Sequence, residues 1–308
     1  MSAPLSADSY GAHFGRSIMT LLARSDAAGA GPVFRVLDVG CGRGRLMADL
    51  YRILEASLSG RKVEIHGLEV TEHRAAEEGY TARAVASLTE SVPEVDWRQH
   101  LHLCSDRDPW PFPNGHFDCI VSNQVLEHVA DHALFFAEHA RVLTPAGFGI
   151  HRFPPRENLW DGHLHLPLVH KARDIETVAG LVRWASRLGL GKFRGAYKAE
   201  KLARGFTLED YVRYQSEYVW YHLNYITTGD ALRLAKKNRL KASLVLSATP
   251  LQRLIERLTR RAVTAATPYD LALLDRFLPV LGLLHLRANA TLTVEKSRLK
   301  RYGVWTDQ

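Results

Sequence analysis

Two stretches of this 308-residue chain combine residue types and spacings that suit chemistry. The first is Asp38-Val-Gly-Cys-Gly-Arg-Gly, residues 38–44. Gly40, Gly42 and Gly44 can take positive φ and turn backbone N–H groups toward a ligand, while Asp38 sets a carboxylate beside them. The second stretch, 151–170, holds four of the fifteen histidines together with Glu157 and Asp161. Imidazole titrates near neutral pH and suits proton transfer. His163 is the leading candidate for a general base, with His165 and Asp161 as orienting or alternative groups. Three of these histidines with Asp161 and Glu157 are also a donor set for a divalent ion, although no metal site is assigned on this basis. The plain alternative is a loop whose histidines hydrogen-bond backbone.

The elements that must position these groups are readable from pattern. Residues 33–39 form a short apolar, β-branched run, as in a strand covered on both faces. Leu46, Met47, Leu50, Ile53 and Leu54 follow at helical spacing, so the glycine turn joins a strand to a helix N-terminus. A phosphate-cradling P-loop would need Gly-Lys-Ser/Thr, but Gly44 is followed by Arg45 and Leu46. In the dinucleotide fingerprint the last glycine would stand one residue later. Taken alone, the turn is an ordinary tight strand–helix junction.

It has companions. Residues 62–68 read as a second strand ending at Glu69, where an acid in doubly wound folds accepts from ribose hydroxyls. A third strand near 100–104 runs into Ser105-Asp106-Arg107. A fourth, 119–122, leads into Asn123-Gln-Val-Leu-Glu-His-Val. A helix over 131–143, a turn at 144–147 and a fifth strand over 148–153 complete the series.

In this order the segments resemble class I S-adenosylmethionine (SAM) methyltransferases of the UbiE-like, type 11 branch. Asp38 to Gly44 matches D-x-G-x-G-x-G. Ser105-Asp106 with Trp-Pro-Phe-Pro-Asn-Gly-His-Phe-Asp at 110–118 is similar to G-D-x-x-x-L-P-F-x-x-x-x-F-D. Residues 122–129 are similar to S-x-x-V-L-E-H-V, and 141–147 to R-V-L-K-P-G-G. The resemblance implies SAM as cofactor, held by Asp38, Gly40, Cys41, Gly42 and Glu69. It also implies that Asp106 accepts from the adenine amino group with the Arg107 backbone beside the ring, and that Asn123 and His128, at the end of strand four, help to hold the cofactor.

The fold expected is α/β: a Rossmann-like, seven-stranded, mostly parallel sheet with helices on both faces. A mostly helical cap would come from insertions after strands five and six. The expected divisions are an N-terminal helical segment (1–30), the SAM-binding core (31–153) and a helical cap insertion (154–228). Core completion (229–249), a second helical insertion (250–284) and a last strand with tail (285–308) follow. Two more strands are needed, and 242–247 and 286–294 supply them, with a helix over 229–237 before the first. Tyr211, Tyr214, Tyr218, Tyr221 and Tyr225 recur at steps of three and four, one helix face that reads first as a packing seam and second as the lining of an acceptor pocket.

Charge is unevenly placed within a formal net of +7. Residues 171–205 carry nine Lys/Arg against three Asp/Glu, and 229–261 carry nine against two, so the motif-bearing remainder is acidic. Basic blocks beside a cofactor domain suit a phosphate-bearing acceptor or an anionic membrane surface. Leu251, Leu254, Ile255 and Leu258 alternate with Arg253, Arg257, Arg260 and Arg261, an amphipathic helix suited to peripheral membrane contact or to packing as a cap. The three cysteines (Cys41, Cys104, Cys119) lack paired spacing and read as reduced core residues. No signal peptide is apparent in 1–30, and the longest apolar run, 277–284, is too short to span a bilayer, so the expected location is cytoplasmic, with peripheral membrane contact as an option.

Nucleic acid is not the expected acceptor: Ser122-Asn-Gln-Val stands where exocyclic-amine enzymes carry D/N/S-P-P-Y/F, and no cysteine follows a proline. The W-D-G-H-x-H-x-P pattern at 160–167 resembles one in methyltransferases of bacterial glycan and glycolipid pathways. The combined expectation is methyl transfer to a hydroxyl of a saccharide or lipid-linked anionic molecule. An N- or C-methyltransferase of a quinone or natural product, and a non-catalytic SAM-binding regulator, are the alternatives. The sequence sets no oligomeric state.

Overall fold

The structure, a computed structural model, describes residues 10–24, 31–72, 74–246 and 289–296. Elements run in the order α1 (Tyr10–Leu22), β1 (Val33–Val39), α2 (Arg45–Ser57), β2 (Lys62–Val70), α3 (Tyr80–Ser91), β3 (Leu101–Cys104), β4 (Phe117–Asn123), α4 (His132–Val142) and β5 (Leu143–Phe153). Then come β6 (Trp160–Asp161), β7 (Leu166–Pro167), α5 (Ile175–Arg187), α6 (Gly195–Ala203), α7 (Leu208–His222), α8 (Thr228–Lys237), β8 (Leu240–Leu246) and β9 (Ala290–Lys296).

Seven strands form one sheet in the order β3-β2-β1-β4-β5-β9-β8, a Rossmann-like arrangement. The first five pair in parallel, and β9 runs antiparallel to both β5 and β8. The chain order reverses between β1 and β4, so the crevice beyond their carboxyl ends is the place where such sheets take ligands.

Alternation along the strands explains the two layers. Phe34, Val36, Cys119, Val121, Phe148 and Ile150 point to one face, where they meet Phe14 and Ile18 of α1 and Met47, Leu50 and Leu54 of α2. Leu37, Val39, Ile120 and Phe153 point to the other, against Phe135 and Phe136 of α4 and Ala231 and Ala235 of α8. Residues on both faces are buried, which is why these strands read as continuous apolar runs rather than alternating ones. At Gly67 a Cβ would lie 2.6 Å from Met47 Sδ and 2.7 Å from Cys41 Sγ, so the missing side chain lets α2 and the glycine turn sit tightly on β2.

A third apolar cluster lies between β5 and α8. Leu164, Leu166 and Val169 pack with Val178 and Val182 of α5, Phe193, and Tyr211, Val212 and Val219 of α7. Asp174 caps α5 by accepting from Thr177 N–H, and Thr207 with Asp210 forms a capping box on α7.

Two local expectations change. The turn expected at 144–147 is an irregularity inside the longer β5: Leu143 pairs with Phe117, and the next pair is already Phe148 with Cys119. The tyrosine stripe is not the seam of α7. The buried face is Tyr211, Val212, Gln215, Ser216 and Val219, while Tyr214 and Tyr221 are 59% and 69% exposed. At about 100° per residue the stripe's centre is turned by roughly 100° from the buried face, so only Tyr211 reaches the seam. Tyr225 lies beyond the end of the helix. The segments 250–284 and 251–261, expected as a second cap and a basic amphipathic helix, lie outside the described residues. Among the described residues, no helix is long and apolar enough to cross a membrane.

Candidate active site

Beyond the carboxyl ends of β1, β2 and β4 the structure opens a cavity of about 570 Å³. One end is built by the glycine turn. Gly40 and Cys41 donate their N–H groups to Leu68 O (2.7 and 3.2 Å), which ties the turn to the neighbouring strand. Gly42 N–H donates to Glu69 Oε2 at 2.8 Å, and the Tyr80 hydroxyl donates to Gly42 O. Gly40, Gly42 and Gly44 all adopt positive φ (69°, 54°, 80°). At Gly40 a Cβ would meet Val125 Cγ2 at 2.4 Å, and at Gly44 one would meet Leu88 Cγ at 2.5 Å, so both positions require glycine twice over.

The carboxylates sort by environment. Asp38 is buried beneath the turn, and its Oδ2 has no hydrogen-bond partner. Burial, then the neighbouring Glu69 charge, pushes its pKa well up. Glu69 lines the cavity and retains acceptor capacity after taking the Gly42 N–H. Asp106 lines it too, positioned by Glu72, which accepts from Ser105 Oγ (2.7 Å) and from Asp106 N–H (3.0 Å). Arg107 does not line the cavity: its side chain is 92% exposed with Nε 3.8 Å from Asp106 Oδ1, and its N–H donates to Ser105 Oγ. Cys41 is buried with its sulfur 3.8 Å from the Tyr80 hydroxyl, so its contribution to the turn is packing.

Asn123, Gln124, Val125 and His128 form the wall leaving β4. Gln124 has φ 59°, a left-handed conformation that costs a side-chain-bearing residue about 1 kcal/mol or more. Its N–H donates to Arg152 O at 2.7 Å, and this sharp exit lays Val125 over Gly40. The segment after α7 pins the same wall. Asn224 N–H donates to Glu127 O (2.7 Å), Asn224 Nδ2 donates to Val129 O and Ala130 O, and His128 Nδ1 donates to His222 O (3.1 Å). Tyr214, Tyr218 and His222 of α7 close the far end.

The histidine-rich loop reaches this end through His163. Its ring lies 5.2 Å from that of His128 and 5.8 Å from that of Tyr218, centroid to centroid. Asp161 is fully buried; its Oδ1 accepts from the N–H groups of His163 (2.9 Å) and Leu164 (2.6 Å). The Tyr225 hydroxyl donates to Asp161 Oδ2 at 2.6 Å and so accepts from His163 Nδ1 at 2.9 Å. Burial alone would raise the Asp161 pKa, but these hydrogen bonds together hold it below the ordinary value. Tyr225 is pushed up, first by burial and then by the Asp161 charge. This chain of donors fixes the His163 proton on Nδ1 and makes Nε2 the lone-pair nitrogen.

His170 packs its ring 4.8 Å from that of Tyr225, while the loop's remaining histidines stand apart. His165 is exposed in a left-handed turn (φ 57°) and does not line the cavity. His151 is buried in the sheet against Ser122 Oγ (2.8 Å). Glu157 accepts from Thr228 N–H and Oγ1 at the start of α8. The group that does converge is Glu127, His128 and His163, whose donor atoms lie within 4.8 Å of one another. Glu127 is a member of this group that the sequence pattern does not single out. Its side chain is fully buried in a short 3-10 turn (Leu126–His128), and burial pushes its pKa up to about 8. The signal available was an acid directly before a histidine in a motif already tied to the cofactor end.

Comparison with known proteins fits this geometry. Residues 37–150 match the methyltransferase domain family of type 11. A ubiquinone biosynthesis O-methyltransferase of Chelativorans sp. is 31% identical over 142 residues, 46% of this chain and 45% of that protein. The methyltransferase GfsG of Streptomyces halstedii is 33% identical over 113 residues, 37% and 35% of the two chains. The matches span less than half the length of these relatives. A geranyl diphosphate C-methyltransferase from Streptomyces coelicolor A3(2) aligns over 91% of this chain and 80% of its own, with 15% identity and a TM-score of 0.43. The 37–150 segment belongs to the class I SAM-dependent methyltransferases, UbiE-like branch, whose cofactor is SAM.

The residues present fit that cofactor. The partnerless Asp38 oxygen is an acceptor that an amino group would satisfy, and Glu69 keeps lone pairs for hydroxyl donors.

Proposed function

We propose that the chain is a SAM-dependent methyltransferase that methylates an acceptor hydroxyl, and that the acceptor is an anionic saccharide or lipid-linked molecule. The observation that carries this reading is the continuity of the cavity: Gly40, Glu69 and Asp106 line one end, and His128 and Tyr218, in ring contact with His163, stand at the other. When bound, SAM supplies an activated sulfonium methyl group.

The chain's own residues then have separable tasks. Asp38 and Glu69 accept from the amino and hydroxyl groups of the cofactor, and Asp106 from its adenine amino group. Trp110, Tyr214 and Tyr218 give the cavity apolar and aromatic surface that orients the acceptor and reduces water. The Asp161–Tyr225–His163 chain leaves the lone pair on Nε2 of a ring 5.2 Å from that of His128, at the end of the cavity where the proton of the acceptor hydroxyl has to be managed. An oxygen acceptor is supported by the O-methyltransferase name of the relatives. An anionic acceptor is supported by the excess of Lys/Arg in 171–205.

The test is incubation of the protein with methyl-labelled SAM and a host extract fractionated into glycans, lipids and small molecules, read by mass spectrometry. A product heavier than its precursor by about 14 Da plus the mass of the isotopic label, in the glycan or lipid fraction, supports the reading. Label confined to quinones would replace the acceptor class. SAM binding with no labelled product in any fraction would favour a non-catalytic regulator.

A further inference from the structure

We infer that Glu127, His128 and His163 form a binding site for one divalent first-row transition-metal ion at the acceptor end of the cavity. Among the described residues these three bring a carboxylate and two imidazoles within 4.8 Å of one another. Inward rotation of the side chains by about 1 Å would place the donors at metal–ligand distances of roughly 2.0–2.2 Å.

The second observation is the Glu127 carboxylate. It is fully buried, and neither Oε1 nor Oε2 has a hydrogen-bond partner. A buried acid ordinarily pairs with donors or with a metal, because burial strips it of water and leaves its oxygens unsatisfied. Arg152 is near enough to be felt electrostatically yet makes no hydrogen bond to it, donating instead to Asn123 Oδ1.

The third observation is the state of the two histidines. His128 Nδ1 donates to His222 O, and His163 Nδ1 donates to the Tyr225 hydroxyl, itself anchored on Asp161. Both rings are thereby held in the tautomer whose Nε2 carries the lone pair, the arrangement in which backbone carbonyls and carboxylates orient metal-binding histidines from behind. One oxygen and two nitrogen donors suit zinc, manganese, iron, cobalt or nickel better than magnesium or calcium, which take oxygen sets. Three protein ligands leave a position open, and His128 lines the cavity, so that position faces the acceptor.

This deepens the methyltransferase reading and rests on it for the ion's role. An acceptor hydroxyl bound at the open position loses its proton to solvent more readily, its oxygen–carbon bond then forms as the sulfur–carbon bond of SAM breaks, and S-adenosylhomocysteine leaves. His163 then acts as a ligand, and the Asp161–Tyr225 pair behind it as its support.

The test uses the full chain without an affinity tag, stripped with chelator, and Co²⁺ as the probe. The expected result is one Co²⁺ per chain with visible ligand-field bands that Zn²⁺ abolishes. Glu127→Gln and His163→Ala should each weaken Co²⁺ binding by at least tenfold, and Tyr225→Phe by roughly tenfold. Folding of each variant is checked by its thermal midpoint, and His128→Asn serves if Glu127→Gln does not fold. Absence of stoichiometric Co²⁺ binding, or binding unaltered in all these variants, overturns the inference. SAM titration in parallel separates the two ideas: SAM binding without Co²⁺ sinks the metal site alone, and Co²⁺ binding without SAM sinks the methyltransferase reading.

Discussion

Replacing Gly40 by alanine tests how the cofactor turn is built. The residue sits at φ 69°, and an added Cβ would lie 2.4 Å from Val125 Cγ2 and 3.1 Å from Cγ1. The left-handed backbone costs an alanine about 1–2 kcal/mol. Relieving the overlap by moving Val125 costs about 1–3 kcal/mol more, as overpacking of a tight site does. Gly60 is the control: it has φ 82° and nothing within 4 Å of its added Cβ, so Gly60→Ala should lose only the backbone part. Urea unfolding monitored by circular dichroism should therefore show Gly40→Ala less stable than Gly60→Ala by about 1–3 kcal/mol. Adding Val125→Ala to Gly40→Ala should recover that difference, giving a favourable coupling energy of about the same size in a double-mutant cycle. The affinity for SAM should fall in Gly40→Ala, because the displaced Val125 shifts the whole 123–128 wall, and should be unchanged in Gly60→Ala. Equal destabilisation by the two glycine substitutions, with no coupling to Val125, would refute the reasoning.

Two further outcomes follow from neighbouring parts of the structure. His151 is fully buried and its pKa is lowered to about 3 by desolvation, so between pH 6.5 and about 3 the unfolded chain binds a proton there that the folded chain does not. The stability it supports is present above pH 6.5 and is lost as pH falls. Measured against His151→Leu, which removes this titration and cancels the opposite-signed contributions of Asp38 and Glu127, the wild type should lose about 2 kcal/mol between pH 7 and pH 5 in urea unfolding. A pH-independent difference would mean that the folded ring takes up the proton. Arg141 donates to Glu138, Trp110 O, Phe112 O and Asn114 Oδ1, and Glu138 Oε2 in turn accepts from Trp110 N–H, which together fix the Trp110 wall of the cavity. Arg141→Ala should cost roughly 3 kcal/mol by stranding the mostly buried Glu138, and should raise the SAM dissociation constant. An unchanged calorimetric isotherm would show that this wall does not touch the cofactor.

What could be read in advance followed the range of the forces involved. The 33–39 strand, the positive-φ glycines and the acids at the ends of β1 and β2 are set by local apolar runs and local backbone sterics, so Asp38, Gly40 and Glu69 could be placed from neighbours in sequence. The same holds for Asp131, which caps α4 by accepting from Ala133 and Leu134 N–H groups. The acceptor end was less readable, because its members meet only in the folded chain. Glu127 meets His163 across a long loop, and the Asp161–Tyr225 hydrogen bond joins residues 64 apart. The tyrosine stripe shows the same limit: periodicity revealed one helix face, but which face is buried was decided by Val178, Val182 and Phe193, which pack with Tyr211, Val212 and Val219. His165 had the right type for a catalytic role, and the left-handed turn carries it to the surface.

Isothermal titration of SAM into the full chain, repeated with Asp38→Asn and Glu69→Gln, tests the central claim most directly. The account predicts one SAM per chain, with affinity reduced by at least tenfold in each variant, since each substitution removes a carboxyl acceptor and a hydrogen bond that involves a charged group is worth about 1.5–3 kcal/mol. No SAM binding by the folded chain, or binding that neither carboxylate influences, would contradict it.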